Sequence, residues 1–188
     1  MAATSTMLAL GTELPHFDLP DVRGGGRVSN ADYEGRPLLV MFICNHCPYV
    51  KLIQQGLVEL SRDYLGQLAM VGIASNDAST YPEDSPEELA RVAAELGYRF
   101  PVLYDESQDV ARAFTAACTP DFFLFDDHHR LVYRGQFDDA RPSNGLPVTG
   151  ASLRAAIDAL LAEGEIPVEQ RPSMGCSIKW KVETLKLG

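Results

Sequence analysis

Two cysteines three residues apart stand in the run Cys44-Asn45-His46-Cys47-Pro48. Thiols at this spacing on a turn can close a disulfide and reopen it by exchange, and the attacking species is the thiolate. Position would favour that form here. Residues 38–43 are a short continuous apolar run, which suits a strand covered on both faces. After the motif, Ile53, Leu57, Leu60 and Tyr64 fall at i, i+4, i+7 and i+11 on one helix face. The cysteines therefore sit where a buried strand passes into a helix N-terminus, and Pro48 suits a first turn that needs no amide donor. The partial positive charge and free amides of that terminus lower a thiol's pKa.

On this reading Cys44, nearer the loop, is the exposed nucleophile, and Cys47, one turn inside, resolves the mixed disulfide. His46, when protonated, stabilises the thiolate and shifts the pair toward the oxidising side. Two alternatives stand beside it. Cys47 could serve a peroxide-reducing thiol peroxidase, or Cys44 and Cys47 with Cys118 or His46 could form a thiolate site for copper(I) or zinc and no enzyme at all. Cys118 reads as small-residue packing, with a third redox thiol or a metal ligand as its other uses. Cys176, in a glycine-containing tail, could be a resolving or intermolecular thiol. His128 and His129 read as solvent-facing turn residues, and Asp121 as a carboxylate that satisfies a turn, with a local acid or base as its other use.

The elements that position these groups follow from pattern. Residues 68–74 are the next buried strand, so residues 38–74 form one β-α-β unit with parallel strands and a right-handed crossover. Ser85-Pro86-Glu87-Glu88 reads as a capping box opening a helix with Leu89, Val92, Ala93 and Leu96 inward, and Gly97 ends it. Residues 100–104 read as a strand and 109–117 as a short helix. Residues 121–125 and 131–136 are strands joined by a connection short enough to make them antiparallel. A last helix carries Leu153, Ala156, Ile157 and Leu160 on one face. Upstream, residues 15–19 and 28–33 read as strands joined over residues 23–27, a hairpin tip; no Gly-Lys-Ser/Thr is there to make its glycines a phosphate loop. Residues 1–13 read as a loose leader, 14–164 as the domain, and 165–188 as a tail packing back through Ile178 and Trp180.

The 188 residues are enough for one core without staples, and 46% hydrophobic with 22% charged residues is ordinary globular composition. Sixteen Lys and Arg against 26 Asp and Glu leave a formal charge of -10, which argues against nucleic acid and anionic membrane as partners. No apolar run approaches a membrane span, and residues 1–13 lack the basic and apolar regions of a signal peptide. The expected compartment is the cytoplasm, where a Cys-x-x-Cys pair is catalytic or metal-binding more often than structural.

A β-α-β unit with Cys-x-x-Cys at its first helix, then Thr119-Pro120 before a paired antiparallel strand, resembles the thioredoxin fold. The N-terminal strands, the insert at residues 76–85 and the closing tail look like the peroxiredoxin-like, redoxin-type branch of that superfamily. The resemblance implies an α/β fold with a central mixed sheet flanked by helices. It also implies a cis-proline at Thr119-Pro120 lying against the redox pair, with Asn45, His46, Pro48, Thr119 and Pro120 supporting Cys44 and Cys47. The implied activity is thiol-disulfide exchange on a protein disulfide, a small thiol or a peroxide, with a reductase or small thiol as electron donor and no cofactor. Four features depart from the related families. The threonine and arginine that assist peroxidatic cysteines would fall at Cys44 and Pro120, and Leu38 and Ile43 stand where thioredoxins keep a buried aspartate and a tryptophan.

Overall fold

The computed structural model describes residues 2–182. Met1 of the expected leader and residues 183–188 of the expected tail lie outside the described residues. In chain order the elements are strands β1 (Ala2–Thr4), β2 (Asp18–Pro20), β3 (Arg27–Ser29) and β4 (Leu38–Phe42), then helix α1 (Pro48–Asp63), strand β5 (Ala69–Ala74) and helix α2 (Pro86–Leu96). They continue with β6 (Val102–Tyr104), α3 (Asp109–Ala113), β7 (Cys118–Thr119), β8 (Asp121–Phe125), β9 (Leu131–Gly135), α4 (Ala151–Leu161) and β10 (Met174–Ser177).

The central sheet has the order β6-β5-β4-β8-β9. β4, β5 and β6 are parallel, while β8 and β9 add antiparallel. Every residue of β4, β5 and β8 is buried, because each of these strands has covered neighbours on both faces. Alternation sorts them: Leu39, Met41, Phe122 and Leu124 pack with Ile53, Leu57 and Leu60 of α1, while Leu38, Val40, Phe42, Phe123 and Phe125 pack around Phe114 on the other side. Phe114 meets Phe42 and Phe123 edge-on at ring-centre distances of 5.3 and 5.4 Å, a geometry that aromatic quadrupoles favour. No helix among the described residues is long and apolar enough to cross a membrane.

Gly97 closes α2 in the left-handed region at φ 73°, as expected of a C-terminal glycine. Ser85 accepts the Glu88 amide at 3.4 Å, but the reciprocal half of the expected box is not made, because Glu88 pairs with Arg91 instead. The expected strand at residues 28–33 is shorter. β3 ends at Ser29, whose amide donates to the Asp32 carboxylate at 2.7 Å, and this turns the chain into a 3₁₀ helix over Asn30–Tyr33.

The leader is not loose. β1 pairs antiparallel with β10, Ser5 donates its amide to the Ser173 carbonyl, and Glu13 bridges Arg130. Its partners lie more than a hundred residues away, which is why local patterning did not reveal them. β10 was likewise unexpected as a strand. It sits between β1 and β7 in a separate three-stranded sheet, and the close approach is steric: a Cβ at Gly175 would run into the Thr119 carbonyl. Ile178 is buried as expected. Trp180 remains 39% exposed and lies under the Arg112 guanidinium, 4.6 Å from its ring centre.

Candidate active site

Cys44 follows β4 after Ile43, and Cys47 caps α1, with Pro48 at the first helical position. Both thiols face Thr119 of β7. Cys44 Sγ lies 3.1 Å from Thr119 Oγ1, and Cys47 Sγ lies 3.1 Å from the Thr119 carbonyl. The Thr119-Pro120 bond is cis. All four cysteines are free thiols. The expected exposure of Cys44 needs correction, since Cys44 is 2% and Cys47 0% exposed. The Cys44 sulfur lies against Thr119 and within 4.8 Å of the Asp84 carboxylate, neither of which is near it in sequence.

Electrostatics separates the two sulfurs. The neighbouring Cys44 thiol, then Cys176 and the amides of Val50 and Cys176, hold Cys47 well below the ordinary thiol range despite its burial. Cys44 is pushed up by Cys47 beside it, by burial and by the nearby Asp84 carboxylate. The Thr119 carbonyl beside Cys47 favours the thiol but is outnumbered by donors. The reduced pair thus shares one thiolate, centred on Cys47, because the helix terminus and a neighbouring strand both aim donors there.

His46 is supported by a residue that sequence reasoning missed. Asp84, fully buried at the end of a 3₁₀ turn (Pro82–Asp84) in the insert, accepts the amides of Asn45 and His46 at 2.7 and 3.3 Å. It also meets His46 Nδ1 at 2.5 Å and accepts Asn76 Nδ2 at 2.8 Å. Asn45 Nδ2 donates to the Glu83 carbonyl, and the His46 ring stacks on Tyr81 at 4.6 Å. Nothing local in the sequence marks Asp84; only the length of the insert hinted that it reaches the motif. Asn76 Oδ1 in turn accepts the Lys179 amide, so the tail, the insert and the motif are one connected network.

Cys44, His46 and Asp84 could offer sulfur, nitrogen and oxygen ligands within 4.8 Å of one another. Both Asp84 oxygens are already occupied by the donors named above, so a metal would have to displace them; Cys47 and Cys118 are not part of that group. Cys118 is fully buried, with its thiol raised by desolvation first and then by Asp121, and it makes a long contact, 3.6 Å, with the Pro120 carbonyl. Cys176 is brought beside Cys47 by β10. His128 is exposed as expected, whereas His129 Nε2 meets the Tyr33 carbonyl at 3.0 Å.

Asp121 does not satisfy a turn. It lies inside β8 with no exposure, and neither carboxylate oxygen has a hydrogen-bond partner among the described residues. Desolvation raises its pKa from 3.8 to about 7, against weaker opposing effects from Ser5 and from the Ala117 and Phe122 amides. Between those two values the folded state holds a proton that the unfolded chain has released, so stability falls as pH rises through that window. Asp121→Asn, which cannot ionise, should therefore gain about 4 kcal/mol on wild type between acidic and mildly alkaline pH. Urea melts of both proteins at the two ends of the window check this, and parallel stability curves would contradict it.

A mixed sheet flanked by helices, a dithiol at a helix N-terminus and a cis-proline strand against it define a thioredoxin-fold thiol oxidoreductase, in the broad sense that includes thiol peroxidases. The chain belongs to the AhpC/TSA family, whose model matches residues 10–134. It is 32% identical over 112 residues to a Mycobacterium tuberculosis protein named as a candidate peroxiredoxin, spanning 60% of this chain and 67% of that one. The crystal structure of an uncharacterized conserved protein from Geobacillus kaustophilus superposes with a TM-score of 0.94 at 54% identity, covering 97% of each chain. The solution structure of a candidate thioredoxin from Neisseria meningitidis matches with a TM-score of 0.61 at 25% identity, covering 79% of this chain and 89% of that one.

Proposed function

We propose that the protein is a thiol-disulfide oxidoreductase in which Cys47 attacks and Cys44 resolves. The observation that carries this reading is the pair of sulfurs set side by side against Thr119, with a single thiolate favoured on Cys47. The Cys47 thiolate forms a bond to one sulfur of a substrate disulfide and expels the other as a thiolate. Cys44 then attacks the Cys47 sulfur of the mixed disulfide, and the second substrate thiol leaves. A protein disulfide or a small disulfide is the substrate, and a reductase or small thiol returns the two electrons. Thr119 and Pro120 lie where a substrate backbone could run beside the pair. We place the protein in the cytoplasm, a compartment that keeps such thiols reduced.

Redox titration with thiol trapping and peptide mapping tests the reading. Cys44 and Cys47 share one tryptic peptide, so their disulfide appears as a loss of two hydrogens within it, and dithiothreitol-driven insulin reduction should accompany it. A protein that stays fully alkylatable under oxidising buffer would refute it. The family match and the thiolate on Cys47 favour peroxide as a second substrate. No arginine is among the groups that bond Cys47 in the described structure, so peroxide should react at the rate of an unassisted thiolate. A rate several orders of magnitude higher would make peroxidase the better reading.

A further inference from the structure

β10 places Cys176 directly opposite Thr119, the residue whose carbonyl touches Cys47 Sγ. Cys176 packs against the same core cluster as Cys44 and Cys47, and its proximity helps to lower the pKa of the Cys47 thiol. It is also the one thiol of the four that is not buried. Cys47 therefore has two thiol neighbours, the buried Cys44 and the partly exposed Cys176.

We propose that Cys176 is a relay thiol that carries oxidation from the buried Cys44–Cys47 disulfide to the surface, where a dithiol reductant reaches it. The proposal deepens the function above and rests on that disulfide forming. Cys176, deprotonated, attacks Cys47 Sγ; the Cys47–Cys176 bond forms, the Cys44–Cys47 bond breaks, and Cys44 leaves as a thiolate that takes up the proton. Two thiols and one disulfide remain two thiols and one disulfide, so no outside oxidant enters the step. An external thiol then attacks the accessible Cys176 sulfur, Cys47 departs as the favoured thiolate, and the reductant's second thiol releases Cys176. A sulfur whose thiolate is stabilised is the better leaving group, which sets the direction of that last exchange. The tail that bears Cys176 is held in place for this by Gly175 against Thr119 and by Lys179 on Asn76.

Two variants and one wild-type measurement test the relay. Oxidation of Cys44→Ser with diamide should join the tryptic peptides carrying Cys47 and Cys176 in a monomeric protein; Cys47 and Cys176 both remaining alkylatable overturns the proposal. Oxidised Cys176→Ser should still hold the Cys44–Cys47 disulfide within one peptide, but dithiothreitol should reduce it at least about tenfold more slowly than wild type; equal rates overturn the relay while leaving the parent reading intact. Should Cys44→Ser not fold, acid-quenched wild type caught during reduction must contain the Cys47–Cys176 cross-link, and its absence is decisive against the proposal. Loss of the Cys44–Cys47 disulfide from oxidised wild type would instead refute the function on which the relay rests.

Discussion

Cys47→Ser is expected to lower disulfide-reducing activity by about 10³-fold or more, while Cys44→Ser loses less and accumulates a mixed disulfide on Cys47 in a single turnover. The asymmetry follows from the donors around each sulfur. A serine hydroxyl at position 44 can still donate to Cys47, and the amides of Val50 and Cys176 stay in place, so the thiolate survives. A serine at position 47 has no accessible anion, and the thiol left behind at Cys44 faces Asp84, which opposes its ionisation. For the same reason the rate of attack in wild type should hold nearly level as pH falls from about 8 to about 6, where an ordinary thiol would lose most of its thiolate. Single-turnover kinetics with mass detection of the adduct measures both effects. An inactive Cys44→Ser, with the adduct trapped in Cys47→Ser, would reassign the nucleophile to Cys44.

Asp84→Ala should destabilise the fold by about 3–5 kcal/mol, because it strips the acceptor from two backbone amides, the Asn76 amide group and the His46 ring at once, and each buried donor left unpaired costs roughly 1–3 kcal/mol. Only part of that sum is expected, since His46 keeps about 15% of its side-chain surface in solvent and can turn outward. Asp84→Asn retains one acceptor oxygen and should cost less, yet it places an N–H₂ group against donors and frees the ring from its orientation. Asp84 thus acts through His46 as a positioning residue. Its second readout is the pH profile of thiol alkylation, which should shift in Asp84→Asn even where the variant is fully folded. A stability change within about 0.5 kcal/mol for Asp84→Ala, the range of ordinary surface substitutions, would remove Asp84 from the site.

Local pattern determined much of this protein. The apolar run at residues 38–43, the Cys-x-x-Cys spacing, Pro48 and the helical stripe from Ile53 to Tyr64 located the β-α-β unit and its dithiol, because strand and helix periods and terminus chemistry are properties of neighbouring residues. Thr119 lies against both sulfurs, a placement expected from a resemblance and not from spacing. Three things depended on tertiary structure. Asp84 reaches the motif across 38 residues, Cys176 meets Cys47 through a strand pairing with β7, and residues 2–4 complete that small sheet. None of these contacts leaves a periodic trace, since a single side chain aimed at a distant site carries no repeat. Which sulfur holds the negative charge was undecidable from the motif for the same reason: a helix terminus favours both cysteines, and two of the groups that separate them, Asp84 and Cys176, arrive from the insert and the tail.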